Sequence, residues 1–216
     1  MQLPEQIIPI TSHAHLLGVL DEHNISTATW GENNTRTSSD LATELLLGEA
    51  ALCTDESGLY RYNTTVKAQV YHRVGGHALR LVEAVRHDAV KGTWFSRGLN
   101  NSISEKRRAF AGETPEVAIL RGLREELRGY DDTAVVTTPE RMVLSTHILH
   151  PTKQELHYAG LRAATETDYF DILLQPAEYR PEGYVERNYG AGRLTRATYF
   201  HWSDAGDGLP KTLQES

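Results

Sequence analysis

Hydrophobic positions change their period partway along the chain, and that change divides it. Near the start, Ser12 opens a helical pattern in which Leu16, Leu17 and Leu20 share a face and which stops near Asn24. Thr29 to Asn34 reads as a loop anchored by Trp30, after which Ser39 or Asp40 caps a second helix carrying Leu41, Leu45 and Leu46. Asp55-Glu56-Ser57-Gly58 is a turn, and a boundary is expected there between a helical N-terminal extension, residues 1–60, and a main domain, residues 61–216. From Thr65 the spacing becomes two: Val66, Ala68, Val70 and Val74 alternate with Lys67, Gln69, Tyr71 and Arg73, as in a strand with one wet face. Gly75-Gly76 then predicts a hairpin turn into a second, more buried strand over 77–86. Further strands are predicted at 142–149, 156–164, 169–174 and 194–202, with a long loop marked by Pro176, Pro181 and Gly183.

Between the strands, period 3.6 returns once. Thr114-Pro115-Glu116 forms a helix start, because Pro is tolerated in the first turn and acidic residues favour the positive end of the dipole. Val117, Leu120, Leu123 and Leu127 recur at steps of three and four and predict the core face. Arg121 and Glu125 are four apart with Glu126 adjacent, so the carboxylates fall at the edge of the apolar stripe.

Residues 112–126, Gly-Glu-Thr-Pro-Glu-Val-Ala-Ile-Leu-Arg-Gly-Leu-Arg-Glu-Glu, resemble the Nudix box of pyrophosphohydrolases. Glu113, seven intervening residues, Arg121, Leu123, Glu125 and Glu126 fall in register. Three positions depart from the pattern: Gly122 stands in place of the first box-helix Glu, Arg107 in place of the opening Gly, and the closing Gly is displaced to Gly129. Together with Trp30-Gly31, Leu41, Glu44, Gly48-Glu49 and the 102–106 stretch, the chain is similar to a group of Nudix-like proteins in which Gly also follows the box Arg. The resemblance implies an α/β (α+β) fold, a Nudix-type α/β/α sandwich around a mixed sheet, carrying the small helical extension.

It also implies water attack on a nucleoside diphosphate derivative, with a metal neutralising charge on the bridging phosphates. Magnesium, or manganese in its stead, suits a few carboxylates acting together with substrate phosphates. Glu113, Glu125 and Glu126 are the expected metal ligands, and Arg121 orients the cluster. Because Gly122 offers neither ligand nor base, Glu155 is the expected substitute base, with His157 beside it and His147 and His150 weaker candidates. Arg107 and Arg108 are expected either to meet phosphate oxygens or to form a solvated basic turn. Glu182 and Glu186 fall in the predicted loop, and Trp94 and Tyr158 are aromatic faces that would suit a nucleobase or belong to the core. A second reading is a Nudix-fold module without chemistry that binds a nucleotide-like ligand or a protein partner; Gly122 is the feature pointing to it.

Composition narrows the partners. A formal net charge of −7 over 216 residues argues against DNA, RNA or an anionic membrane as the main target, so phosphates must be met locally. A single cysteine, Cys53, excludes an intramolecular disulfide and fits a reducing, cytoplasmic setting, as a small buried apolar residue. No secretory signal is expected from Met-Gln-Leu-Pro-Glu-Gln, and no run approaches the roughly 20 apolar residues needed to span a bilayer. The extension's small apolar faces could not hold a domain alone, so its docking on the main domain, or on a second copy in a homodimer, is expected.

Overall fold

In the computed structural model, residues 6–32, 35–96, 103–129, 136, 138–154, 157–206 and 208–214 are described, and the architecture is α+β. Two compact units make up the chain, neither of them continuous in sequence: Met1–Thr65 with Lys106–Pro115 and Ile148–Thr167, and Val66–Glu105 with Glu116–His147 and Asp168–Ser216.

The first unit holds β1 (Ile7–Ile8), α1 (His13–Glu22), α2 (Ser38–Leu46), β2 (Ala50–Asp55) and the first half of β3 (Gly58–Val74). Ser12 caps α1 by accepting from the His15 amide. Leu16, Val19 and Leu20 are buried, whereas Leu17, expected on the same face, is 39 % exposed. The second cap is Thr37, two or three residues before the predicted ones; it forms a reciprocal capping box with Asp40. β2 pairs antiparallel with β3 from Ala50↔Asn63 to Asp55↔Gly58, so the turn taken as a boundary joins two paired strands of one unit. Leu16, Leu20, Trp30, Leu41, Leu52, Leu59, Tyr158 and Leu161 pack as its main core. Tyr158 is therefore a core residue and not an open platform. Cys53 is free and buried as expected, and burial pushes its thiol up to about 11.

One buried carboxylate organises the charges of this unit. Glu44 on α2 pairs with Arg61 and Lys106, each at 2.6 Å, and with Arg36. Burial alone would raise its pKa, but the charges of Arg61, Lys106 and Arg36 outweigh that and hold it below its ordinary value.

The second unit is built from strands and α3 (Pro115–Glu126), with β3 antiparallel to the strand that follows it and paired also with a later strand. β3 runs on through Val66, Ala68 and Val70, all buried, and turns at Gly75-Gly76, whose φ angles of 54° and 85° are the two positive values a tight hairpin turn of this type requires. It pairs with β4 (His77–Asp88), which is less buried than predicted: Leu81 and Glu83 are its buried residues. β4 also pairs with β5 (Thr93–Phe95) and with β10, which continues to β9. β6 is Ile103–Lys106, β9 is Tyr184–Gly190 and β10 is Arg193–Asp204. Two long strands, β7 (Arg141–Gln154) and β8 (Arg162–Leu173), replace the predicted pieces at 142–149, 156–164 and 169–174, and β9 stands where a loop was expected to continue. A short α4 (Lys211–Gln214) buries Leu213. Val66, Ala68, Val70, Leu81, Ile103, Ile119, Leu123, Phe170, Ile172 and Phe200 belong to one core. No helix among the described residues is long and apolar enough to cross a membrane.

Replacing Glu44 with Gln leaves three cations facing a neutral amide and is expected to destabilise the protein by about 3–5 kcal/mol at neutral pH. Because Glu44 titrates below its ordinary value of 4.5 when folded, its contribution is present above that value and is lost as pH falls through the folded pKa. Urea unfolding at neutral and acid pH checks this: the gap between wild type and Glu44→Gln should close on acidification.

Candidate active site

α3 turns most of its expected apolar face to the core. Leu123 and Leu127 are buried and Leu120 packs against the core, as predicted, together with Ala118, Ile119 and Gly122, but the helix is rotated enough to leave Val117 54 % exposed. Gly122 lies on the buried face where β6 packs against it. A Cβ built on Gly122 would stand 3.1 Å from Ile103 Cγ2 and 3.2 Å from Glu105 Cβ, closer than side chains ordinarily pack. Gly in mid-helix costs about 1 kcal/mol relative to Ala, and this approach accounts for its presence.

That rotation carries Glu126, four residues after Gly122, toward the interior and leaves Glu125 outside with 54 % of its side chain exposed. The end of the helix is tied down, since Leu127 N–H donates to Leu123 O at 2.9 Å and Val185 N–H of β9 to Arg128 O at 2.9 Å. Burial, followed by the negative charges of Glu186 and Glu105, raises the Glu126 pKa well above the usual carboxylate range; Arg86 and the Ser104 amide oppose the shift without cancelling it.

Arg121 lies 3.2 Å from Glu105 and 3.7 Å from Glu125, bridging a strand carboxylate and a helix carboxylate. Across the sheet, Phe95, Arg86, Thr198 and Glu186 form a row of directly opposed residues on β5, β4, β10 and β9, and so share one face. Glu83 grips Arg86 with two 3.0 Å hydrogen bonds. Those residues sit on one face although three apart, because a bulge between Tyr199 and Phe200 of β10 leaves Ala84 of β4 unopposed. Thr198, wholly buried in the middle of the row, has a hydroxyl without a hydrogen-bond partner among the described residues. Glu105 and Glu125 thus flank Arg121, Glu83 holds Arg86, and the charges of Glu105, Glu186 and Arg86 reach Glu126. Carboxylate oxygens are the donor type that a hard divalent ion takes.

Other residues singled out from the sequence have surroundings of their own. Glu113 belongs to the first unit, where it accepts from the Arg108 amide at 2.7 Å, while Glu125 and Glu126 belong to the second. Arg107 is neither a solvated turn nor an exposed clamp: it is 1 % exposed and lies 3.3 Å from Glu166, to which Tyr62 also donates at 2.6 Å. Arg108 is on the surface, 3.8 Å from Glu49. Glu155 falls outside the described residues. His147 pairs with buried Asp168 at 2.7 Å. Trp94 is 59 % exposed and stacks on His87 at 4.4 Å, on the sheet face opposite Arg86. Glu186 is on β9 rather than in a loop. Sequence spacing had not pointed to Glu105, Arg86 or Thr198. The signal for Glu105 was its two-residue step from the apolar Ile103, which puts both on one face of a strand.

No protein-family model matches the chain, and no curated protein matches it. Among solved structures it is similar to the Nudix domain of Shewanella oneidensis NrtR in complex with ADP ribose, at 14 % identity and a TM-score of 0.36, covering 70 % of this chain and 81 % of that one. It is similar also to the C. elegans Ap4A hydrolase, at 12 % identity and a TM-score of 0.31 over 67 % of this chain and 81 % of that one. A third is RenU, a Nudix hydrolase from M. smegmatis, at 15 % identity and a TM-score of 0.30 over 74 % and 86 % of the two chains.

A branched side chain at position 122 is expected to push β6 from α3. Gly122→Val should lower stability by about 1–3 kcal/mol, despite removing a helix glycine, and chemical denaturation of the two proteins measures it.

Proposed function

We propose that this protein is a Nudix-like, divalent-metal-dependent hydrolase that cleaves the pyrophosphate bond of a nucleoside diphosphate derivative. The observation that carries the reading is Glu126, desolvated on the box-like helix and crowded by Glu105 and Glu186 beside the Arg121–Glu125 pair. Such crowding is relieved by a cation, and a proton taken up in its absence is the same demand expressed differently. Glu125 and Glu126 would hold magnesium or manganese. Arg121 keeps Glu125 in place and limits repulsion between the carboxylates. When bound, the ion supplies charge neutralisation on the bridging phosphates.

Hydrolysis adds the water oxygen to one phosphorus, breaks its bond to the bridging oxygen, and passes the water's proton to a base. Sequence assigns that role to Glu155. Glu113, engaged by the Arg108 amide, and Arg107, paired with Glu166, are left out of this assignment. Exposed Arg108 remains available to a phosphate, and a nucleotide-like small molecule is the partner the reading requires.

The test is release of phosphate or nucleotide from a panel of ADP-ribose, NADH, dinucleoside polyphosphates and oxidised nucleoside triphosphates, with magnesium or manganese. Turnover is expected for at least one, falling to about one-hundredth or less in Glu126→Gln, the scale of losing a group that acts on the transition state. Binding of a nucleotide by folded protein with no turnover on any member would overturn the hydrolase reading. It would establish the binding module instead, the reading that Gly122, with no carboxylate of its own, favours.

A further inference from the structure

We infer that Glu105 on β6 supplies the carboxylate that position 122 of the helix lacks, so that the cation site is completed from a strand and not from the helix alone. The inference rests on the metal-dependent reading proposed above. Three relations support it. First, Glu105 occupies the space in question: its Cβ and Cγ lie 3.2 and 3.6 Å from where a Cβ of residue 122 would stand, so its stem fills the volume into which a helix-borne side chain would grow. Ile103, on the same face of β6, closes the apolar side of that contact at 3.1 Å and is wholly buried, leaving Glu105 to run outward to the polar edge.

Second, the carboxylate arrives among the expected ligands. It is 3.2 Å from Arg121, whose guanidinium lies 3.7 Å from Glu125, and its charge acts on Glu126. A glutamate carried by the helix at 122 and one carried by the strand at 105 would therefore crowd each other in the same space. Third, the surroundings hold a polar group that is buried and has no partner. Thr198, 0 % exposed, stands directly between Arg86 and Glu186, the two residues whose charges act on Glu126 from the sheet, and its hydroxyl has no hydrogen-bond partner among the described residues. A buried hydroxyl in that position calls for a water or another ligand, which an acidic surface cluster alone would not.

The test is Mn²⁺ binding to the full chain without nucleotide, read from the loss of the free-ion electron paramagnetic resonance signal. It compares wild type, Glu105→Gln, Glu105→Asp and the exchange variant Glu105→Ala/Gly122→Glu, with thermal melting of each. Glu105→Gln is expected to weaken Mn²⁺ binding by about tenfold or more, and Glu105→Asp less. The exchange variant is expected to recover binding to within a few-fold of wild type, because removing the Glu105 stem opens the space that a glutamate at 122 needs. Unchanged affinity in Glu105→Gln, or an exchange variant that melts like wild type and does not bind, would overturn the inference while leaving the metal site standing. Absence of Mn²⁺ binding by wild type would overturn the metal site itself, and the inference with it.

Discussion

The close approach of α3 to β6 at Gly122 determines what the second unit can present. The contacts there are Ile103 Cγ2 and the Glu105 stem, so a side chain at 122 would press on them, and Ala118, Ile119 and Leu123 share the buried face with the glycine. On the same helix Val117 faces outward, and Glu126 lies one turn beyond Gly122. A carboxylate that would rest on a solvated flank had the helix been rotated to bury Val117 is instead desolvated beside two other carboxylates. Packing and chemistry meet here: the strand that seats the helix at Gly122 also carries Glu105, one of the charges that raise the Glu126 pKa.

The opposing sheet contributes by register. Arg86 comes from a strand about a hundred residues before those of Thr198 and Glu186, and the three meet as direct neighbours. Neither charge is free to reorient widely, since Glu83 fixes Arg86 through both of its carboxylate oxygens. In the first unit, Glu44 plays the complementary part, one acid shared by three basic groups and kept ionised by them. The contrast between the two glutamates is instructive. Both are desolvated, and the sign of the neighbouring charges decides which one holds a proton more readily.

Helix starts were legible in the sequence because they depend on local chemistry: Ser12 and Pro115 act within one turn of where they stand. The Gly75-Gly76 hairpin was legible for the same reason. Orientation was legible in part. Apolar periodicity put Leu120, Leu123 and Leu127 toward the core, as found, but also Val117, which is exposed, and it gave no weight to Ala118 or Gly122, which are buried. β9 was missed because Val185 is its one aliphatic residue and its later residues are exposed, so no alternation marks it. The box-like motif located Arg121, Glu125 and Glu126, but a linear pattern holds no information about residues brought in by pairing. Glu105 and Arg86 come to this helix only through tertiary contact. Likewise Arg107, which reads as a surface cation beside Arg108, is drawn inside by a partner 59 positions away.

The extra residue at Ala84 has a consequence for how this surface can change over generations. Beyond it, every β4 side chain is half a period out of step with those before it, which is how Glu83 and Arg86 come to point the same way. Exchanging one residue type for another on these strands alters a single contact. Gaining or losing one residue between Glu83 and Arg86 would instead turn the guanidinium to the far side of the sheet, toward His87 and Trp94. Where Arg86 points therefore depends on the length of β4 at the bulge and not only on its composition.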